Sequence, residues 1–126
     1  PDSAGPGKFR GGLGQIVSYR ILGTSPQFHH TSQKAKDVPQ GRFGGRPGSG
    51  GKWVINEGES NERVLEYSAG DIEFLHTGDT VTLYTAAGGG YGDPFSRDPE
   101  MVRNDVINGV EPPVRGQCVF ACGRPA

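Results

Sequence analysis

The chain has 126 residues and a mass of 13.4 kDa, enough for one domain or part of one. Its 22 glycines and 10 prolines stand against 33% hydrophobic residues, and Leu, Ile, Val and Phe together make up about a fifth of the chain, the level below which disorder sets in. Yet 13 basic residues nearly cancel 14 acidic ones, for a formal charge of -1, which excludes the strongly charged disordered class and removes any electrostatic case for a nucleic-acid or anionic-membrane partner.

Such a composition predicts an ordered but core-poor β segment that completes its burial against a partner chain. Pro1 to Gly7 has no apolar stretch of the kind a secretory signal needs, and no run approaches the roughly 18 apolar residues of a membrane helix. With no secretory signal, Cys118 and Cys122 are expected as free thiols in a reducing cytoplasm.

Residues 1–14 mix Gly5, Gly7, Gly11, Gly12 and Gly14 with Lys8, Phe9, Arg10 and Leu13. They read either as an irregular lead-in or as a grip on a phosphate or another backbone. Gln15 to Leu22 is the first strand, with Val17, Tyr19 and Ile21 on one face, closed by Gly23-Thr24-Ser25-Pro26. Phe28 to Thr31 is read as its return strand. There His29 and His30 point to opposite faces, so they do not readily chelate one metal together.

Residues 33–51 break the pattern and form a long loop in which Arg42, Phe43 and Arg46 are the expected contact residues. Gly51-Lys52 invites a phosphate-loop reading, but Arg46 stands where the first glycine is required and Trp53 where a Ser or Thr must hold magnesium. Four short strands follow, at 52–56, 63–67, 72–75 and 80–84, joined by turn-rich connectors. Even spacing of this kind predicts a mainly β fold, an antiparallel barrel-like or sandwich sheet with long Gly-rich loops. In the last connector, Gly78-Asp79 is read as a structural turn.

Gly88-Gly89-Gly90-Tyr91-Gly92-Asp93-Pro94 then separates the strands from a helix. A glycine run adds nothing to a core. It marks either a linker or a place where backbone passes close to something else. Gly89, Gly90, Tyr91 and Asp93 are therefore candidates for an interface or substrate-channel surface, with Asp93-Pro94 closing the turn. One short C-terminal helix is predicted over 98–108: Asp98 is the N-cap, Pro99 the first helical residue, Glu100 the first-turn acid, and Asn108-Gly109 the stop. Val102 and Val106 share one face. The chain is thus laid out as a single domain: lead-in 1–14, β region 15–87, glycine-rich loop 88–97, helix 98–108 and tail 109–126.

Complete active-site chemistry is missing. There is no G-x-S-x-G elbow, no nucleotide fingerprint and no sequence-local carboxylate pair with a reason for a shifted pKa. Asp93, Asp98 and Glu100 read as turn, cap and helix-start residues, and the catalytic set is empty. Cys118 and Cys122, spaced C-x3-C, supply at most half of a zinc site, so a zinc-stabilised binding module is an alternative that needs two further ligands.

Three stretches taken in order, Asp2 to Gly14, Gly41-Arg42-Phe43-Gly44-Gly45-Arg46-Pro47-Gly48, and Gly88 to Pro94 with Arg97-Asp98-Pro99-Glu100, resemble the C-terminal part of hydantoinase B/oxoprolinase family proteins. The resemblance covers residues 2–110 and departs after Gly109, where the Pro112-Pro113 and cysteine-bearing tail begins. This family includes N-methylhydantoinase and 5-oxoprolinase subunits and the large subunits of ATP-dependent acetone and acetophenone carboxylases. A chain this short is similar to a small subunit of the acetophenone-carboxylase type. What the resemblance implies is a cytoplasmic multisubunit ligase that carboxylates a ketone through phosphorylated enol and carboxyphosphate intermediates. ATP and a divalent metal would then lie in partner subunits, the larger carboxylase chains. A part of an ATP-dependent amide-ring hydrolase acting on hydantoins or oxoproline is the alternative within the family.

Overall fold

A computed structural model describes residues 3–32, 36–65 and 68–111. Cys118, Cys122 and the tail beyond Glu111 lie outside the described residues, as does Tyr67 at the end of the expected 63–67 strand. The described residues form two compact units. One gathers those of 14–39 and 50–86, the other those of 1–13, 40–49 and 87–126.

The first unit holds all six strands: β1 (Ile16–Arg20), β2 (Gln27–Ser32), β3 (Lys52–Ile55), β4 (Arg63–Leu65), β5 (Ser68–Phe74) and β6 (Thr80–Tyr84). They form a four-stranded sheet in the order β1-β6-β3-β4 and a two-stranded sheet β2-β5, with every pair antiparallel. The fold is mainly β, as the alternating sequence requires. Both sheets end in open edges, so no barrel is closed.

Register explains which side chains meet. Opposite Leu83 of β6 stand Val17 of β1 and Trp53 of β3, and opposite Val81 stand Tyr19 and Ile55. Since alternate residues share a face, this row forms one side of the larger sheet. Its centre, Ile55 and Val81, is buried with Leu75, and Ile21, Phe28, Trp53 and Leu65 pack around these three.

The return-strand expectation for 28–31 changes in one respect: β2 pairs with β5, not with β1. That pairing lets Phe28 and His30, alternate residues of β2, meet Trp53. Phe28 sits edge-on to the indole with ring centroids 4.9 Å apart and lies nearly parallel to His30 at 5.4 Å. His29 is exposed and His30 buried, the alternation the strand dictates.

The second unit contains the helix, α1 (Pro99–Ile107). Asp98 caps it, its carboxylate accepting the Glu100 amide at 2.9 Å, and Gly109 ends it at φ +66. Val102 is buried and Val106 half-buried, so the expected apolar face is the one used. No helix of the described residues is long and apolar enough to cross a membrane.

Burial sets the cost of truncation. Ile55→Ala should destabilise the chain by about 2–5 kcal/mol through transfer and cavity terms, while Val64→Ala, at an exposed edge-strand position, should stay within about 0.5 kcal/mol. Urea unfolding of the two variants measures both.

Candidate functional site

Three stretches distant in sequence, 3–12, 40–49 and 87–92, run side by side and bond to one another in all three pairings. The 87–92 run lies against the first through Gly5 N to Gly88 O (2.9 Å), Gly88 N to Gly12 O (2.9 Å) and the reciprocal Phe9–Tyr91 pair (3.0 and 2.9 Å). It lies against the second through Arg42 N to Gly90 O, Gly90 N to Arg46 O and Gly92 N to Arg42 O, each 2.9 Å. The first and second are joined by Arg46 N to Pro6 O (2.7 Å) and Ser49 N to Ser3 O (2.9 Å).

Backbones that approach on several sides leave no room for side chains. A Cβ placed on Gly5, Gly11, Gly45, Gly48, Gly89 or Gly90 would come closer than 3.0 Å to backbone atoms of a neighbouring stretch. Glycine is required there for the reason it is required at the axis of the collagen triple helix. Gly12, by contrast, faces open space.

Arg42, Phe43, Arg46, Gly89, Gly90 and Tyr91 lie in this junction, and Asp93 directly follows it. Gly89 and Gly90 are threaded through its middle. Arg42 and Arg46 contribute backbone groups and direct their side chains outward, where both are exposed. Tyr91 is bridged antiparallel to Phe9 and parallel to Arg42. Asp93 caps a 3-10 turn at Pro94–Ser96, its carboxylate accepting the Phe95 amide at 3.0 Å, so it has the turn role its sequence suggests. Phe43 and Gly44 make a tight turn closed by Gly45 N to Arg42 O (2.9 Å), with φ +50 and +92. A non-glycine residue held at positive φ costs on the order of 1–3 kcal/mol.

One part of this unit had no local signal. Arg10 Nε contacts Asp105 Oδ2 at 3.0 Å and Arg97 Nη2 contacts the same oxygen at 2.7 Å. The Arg97 side chain is only 8% exposed, and its Nε and Nη1 have no acceptor among the described residues. Two guanidinium groups on one carboxylate tie the lead-in and the 3-10 turn to α1. Residue 10 is 95 positions from Asp105, beyond any periodicity argument.

Two hollows lined by described residues open on the surface. One, of about 300 Å³, is lined by Ser3, Ala4, Pro6, Arg46, Pro47, Gly48 and Ser49, and Arg46 is its one ionisable side chain among the described residues. The other, of about 350 Å³ in the strand unit, includes Glu62, Arg63, His76 and Asp79. There Glu62 accepts the Gly58 amide at 2.7 Å and Arg63 pairs with Glu73 at 2.7 Å. Asp79 accepts the His76 amide at 2.8 Å and the Asn56 side-chain amide at 2.9 Å, which hold its carboxyl below the usual value of 3.8. The Asn56 side-chain oxygen in turn accepts the Thr80 amide at 2.8 Å. The carboxylates are spent on turns, as read for Gly78-Asp79. Among the described residues no three His, Cys, Asp or Glu side chains converge as metal ligands.

Residues 1–94 match the sequence profile of the family described as Hydantoinase B/oxoprolinase. The chain is similar to a putative D-/L-hydantoinase subunit of Pseudomonas sp. (strain NS671), 37% identical over 108 residues that cover 86% of this chain and 18% of that protein. It is similar also to the acetophenone carboxylase delta subunit of Aromatoleum aromaticum, 28% identical in a 139-residue alignment covering 86% of this chain and 20% of the other. Among solved structures, nucleotide-free acetone carboxylase superposes with a TM-score of 0.62 at 21% identity, over 86% of this chain and 18% of that one, a likeness of fold. The chain thus spans about a fifth of the length of these curated relatives.

Gly90→Ala, whose new methyl would meet the Pro6 carbonyl, should destabilise by about 3 kcal/mol or more. Gly12→Ala should change stability by less than about 1 kcal/mol, toward stabilisation. Thermal melts of the pair compare them directly. Because the folded Asp79 carboxyl titrates below its unfolded value, its contribution is full above about pH 4 and disappears as pH falls through the folded pKa. Asp79→Asn should therefore flatten the acid limb of a stability–pH profile below about pH 4.

Proposed function

The chain belongs to the hydantoinase B/oxoprolinase family, and from that premise we propose that this region is a structural module of a multisubunit ATP-dependent ketone carboxylase, held among larger subunits in the cytoplasm. The observation that carries the reading is the glycine junction. Its close approaches are backbone on backbone. A region of that kind shapes a wall and leaves the chemistry to others.

The ketone-carboxylase form of the reading is supported by the similarity to the acetophenone carboxylase delta subunit. In its finer form the region is a small subunit, with ATP and the divalent metal bound by the larger chains. Burial supports a partner: Ile16, Leu22, Ile72 and Phe74 are all more than half exposed, and apolar surface on this scale is characteristic of an unfilled interface. A second reading is favoured by a specific observation, the higher identity to the Pseudomonas hydantoinase chain. Under it the same module serves ATP-dependent opening of a cyclic amide.

ATP turnover by the reconstituted complex separates the two. Ketone-stimulated turnover that requires bicarbonate and disappears when this chain is left out is the expected result. Turnover stimulated by a hydantoin or 5-oxoproline without bicarbonate assigns the second reaction, and full activity without this chain removes the module reading.

A further inference from the structure

Phe43 stands where the backbone disfavours an aromatic residue. It is the first central residue of the 42–45 turn, with φ +50, and Gly44 follows at φ +92. Positive values at both positions are those of a type I′ turn, for which Asn-Gly or Gly-Gly is the usual pair. A phenyl group is found instead, 79% exposed. It leans on the half-exposed Tyr91 with ring centroids 5.0 Å apart, and Tyr91 approaches Phe9 at 6.4 Å.

Each of the three rings comes from a different stretch of the glycine junction, so backbone hydrogen bonds fix their spacing before anything binds. Rigid aromatic side chains presented in advance lose little entropy on association, and such residues dominate interface energetics. Among the described residues the rim carries two cations and one anion. The Lys8 ammonium lies 5.8 Å from the Phe9 ring centre, Arg42 is exposed beside Phe43, and the exposed Asp93 carboxylate, which accepts the Phe95 amide, keeps its negative charge and leaves the balance positive.

We infer that Phe43, backed by Tyr91 and Phe9, is a docking knob that enters an apolar pocket with an acidic rim on the remaining part of a hydantoinase B-type chain. The inference rests on the module reading above. Its occupant follows from two facts: the relatives carry about four-fifths of their length outside the matched region, and a basic rim selects an acidic counterpart.

The probe is the larger-subunit assembly of the reconstituted complex, purified without this chain and titrated with the wild-type protein, Phe43→Asn and the double variant Lys8→Glu/Arg42→Glu. Phe43→Asn should bind at least about tenfold more weakly while melting at the same or a higher temperature, since it restores Asn-Gly to the turn. The charge reversal should weaken binding and reduce its salt dependence. Binding by Phe43→Asn within about twofold of wild type, or a lower melting temperature accompanying the loss, overturns the knob. Self-association of the wild type that Phe43→Asn abolishes reassigns the surface to a second copy and overturns the stated occupant. A monomeric wild type that does not bind the probe removes the module reading itself, an outcome distinct from failure of the knob alone.

Discussion

The described structure of the helix-bearing unit depends on three backbones lying closer together than side chains permit. Each stretch of the junction hydrogen-bonds to both others, so the bonds lock the 87–92 run from two sides although it has no regular secondary structure of its own over most of its length. Ordering glycine loses more backbone freedom than ordering any other residue, and the sequence accepts that loss repeatedly. Hydrogen bonding and exclusion of water around buried peptide groups offset it, since an unpaired buried N–H or C=O would be costly.

The junction also organises connectivity. Between its first and second stretches the chain makes one excursion, through β1 and β2, and between the second and third another, through β3 to β6. Strands from both excursions interleave in the larger sheet, where β6 lies between β1 and β3. After the third stretch, Asp93 and Asp98 start the 3-10 turn and α1, and the Arg10–Asp105–Arg97 cluster holds the helix to the lead-in. Two cations share one anion there. Removing Asp105 would leave a largely buried guanidinium without a counter-charge, a larger loss than the pair's own net contribution.

Much of this was legible in the sequence because it is local. Alternation at 16–20, 52–55 and 80–84 and the Asp98-Pro99-Glu100 start with its Asn108-Gly109 stop are short-range signals, and they place strands and helix within a residue or two. The pairing of β2 with β5 was not legible, because alternation tells which face is apolar and not which sheet receives it. Glycine composition pointed to close approach at 88–92 without identifying the neighbour. That neighbour is set by residues 5–12 and 40–46, contacts spanning 44 to 84 positions that leave no periodic trace. The positive φ of Phe43 was hidden for the opposite reason: the residue type argues against it. The family resemblance linked the three glycine-bearing stretches in order, and the hydrogen bonds supply the physical reason they occur together.

Amide hydrogen exchange measures the junction most directly, because it reports backbone bonds one residue at a time. If the three stretches are locked as described, the amides of Gly90, Tyr91 and Gly92 exchange as slowly as those of β6, although they lie in a glycine run. Exchange of those three amides at the rate of an unstructured glycine segment would contradict the account.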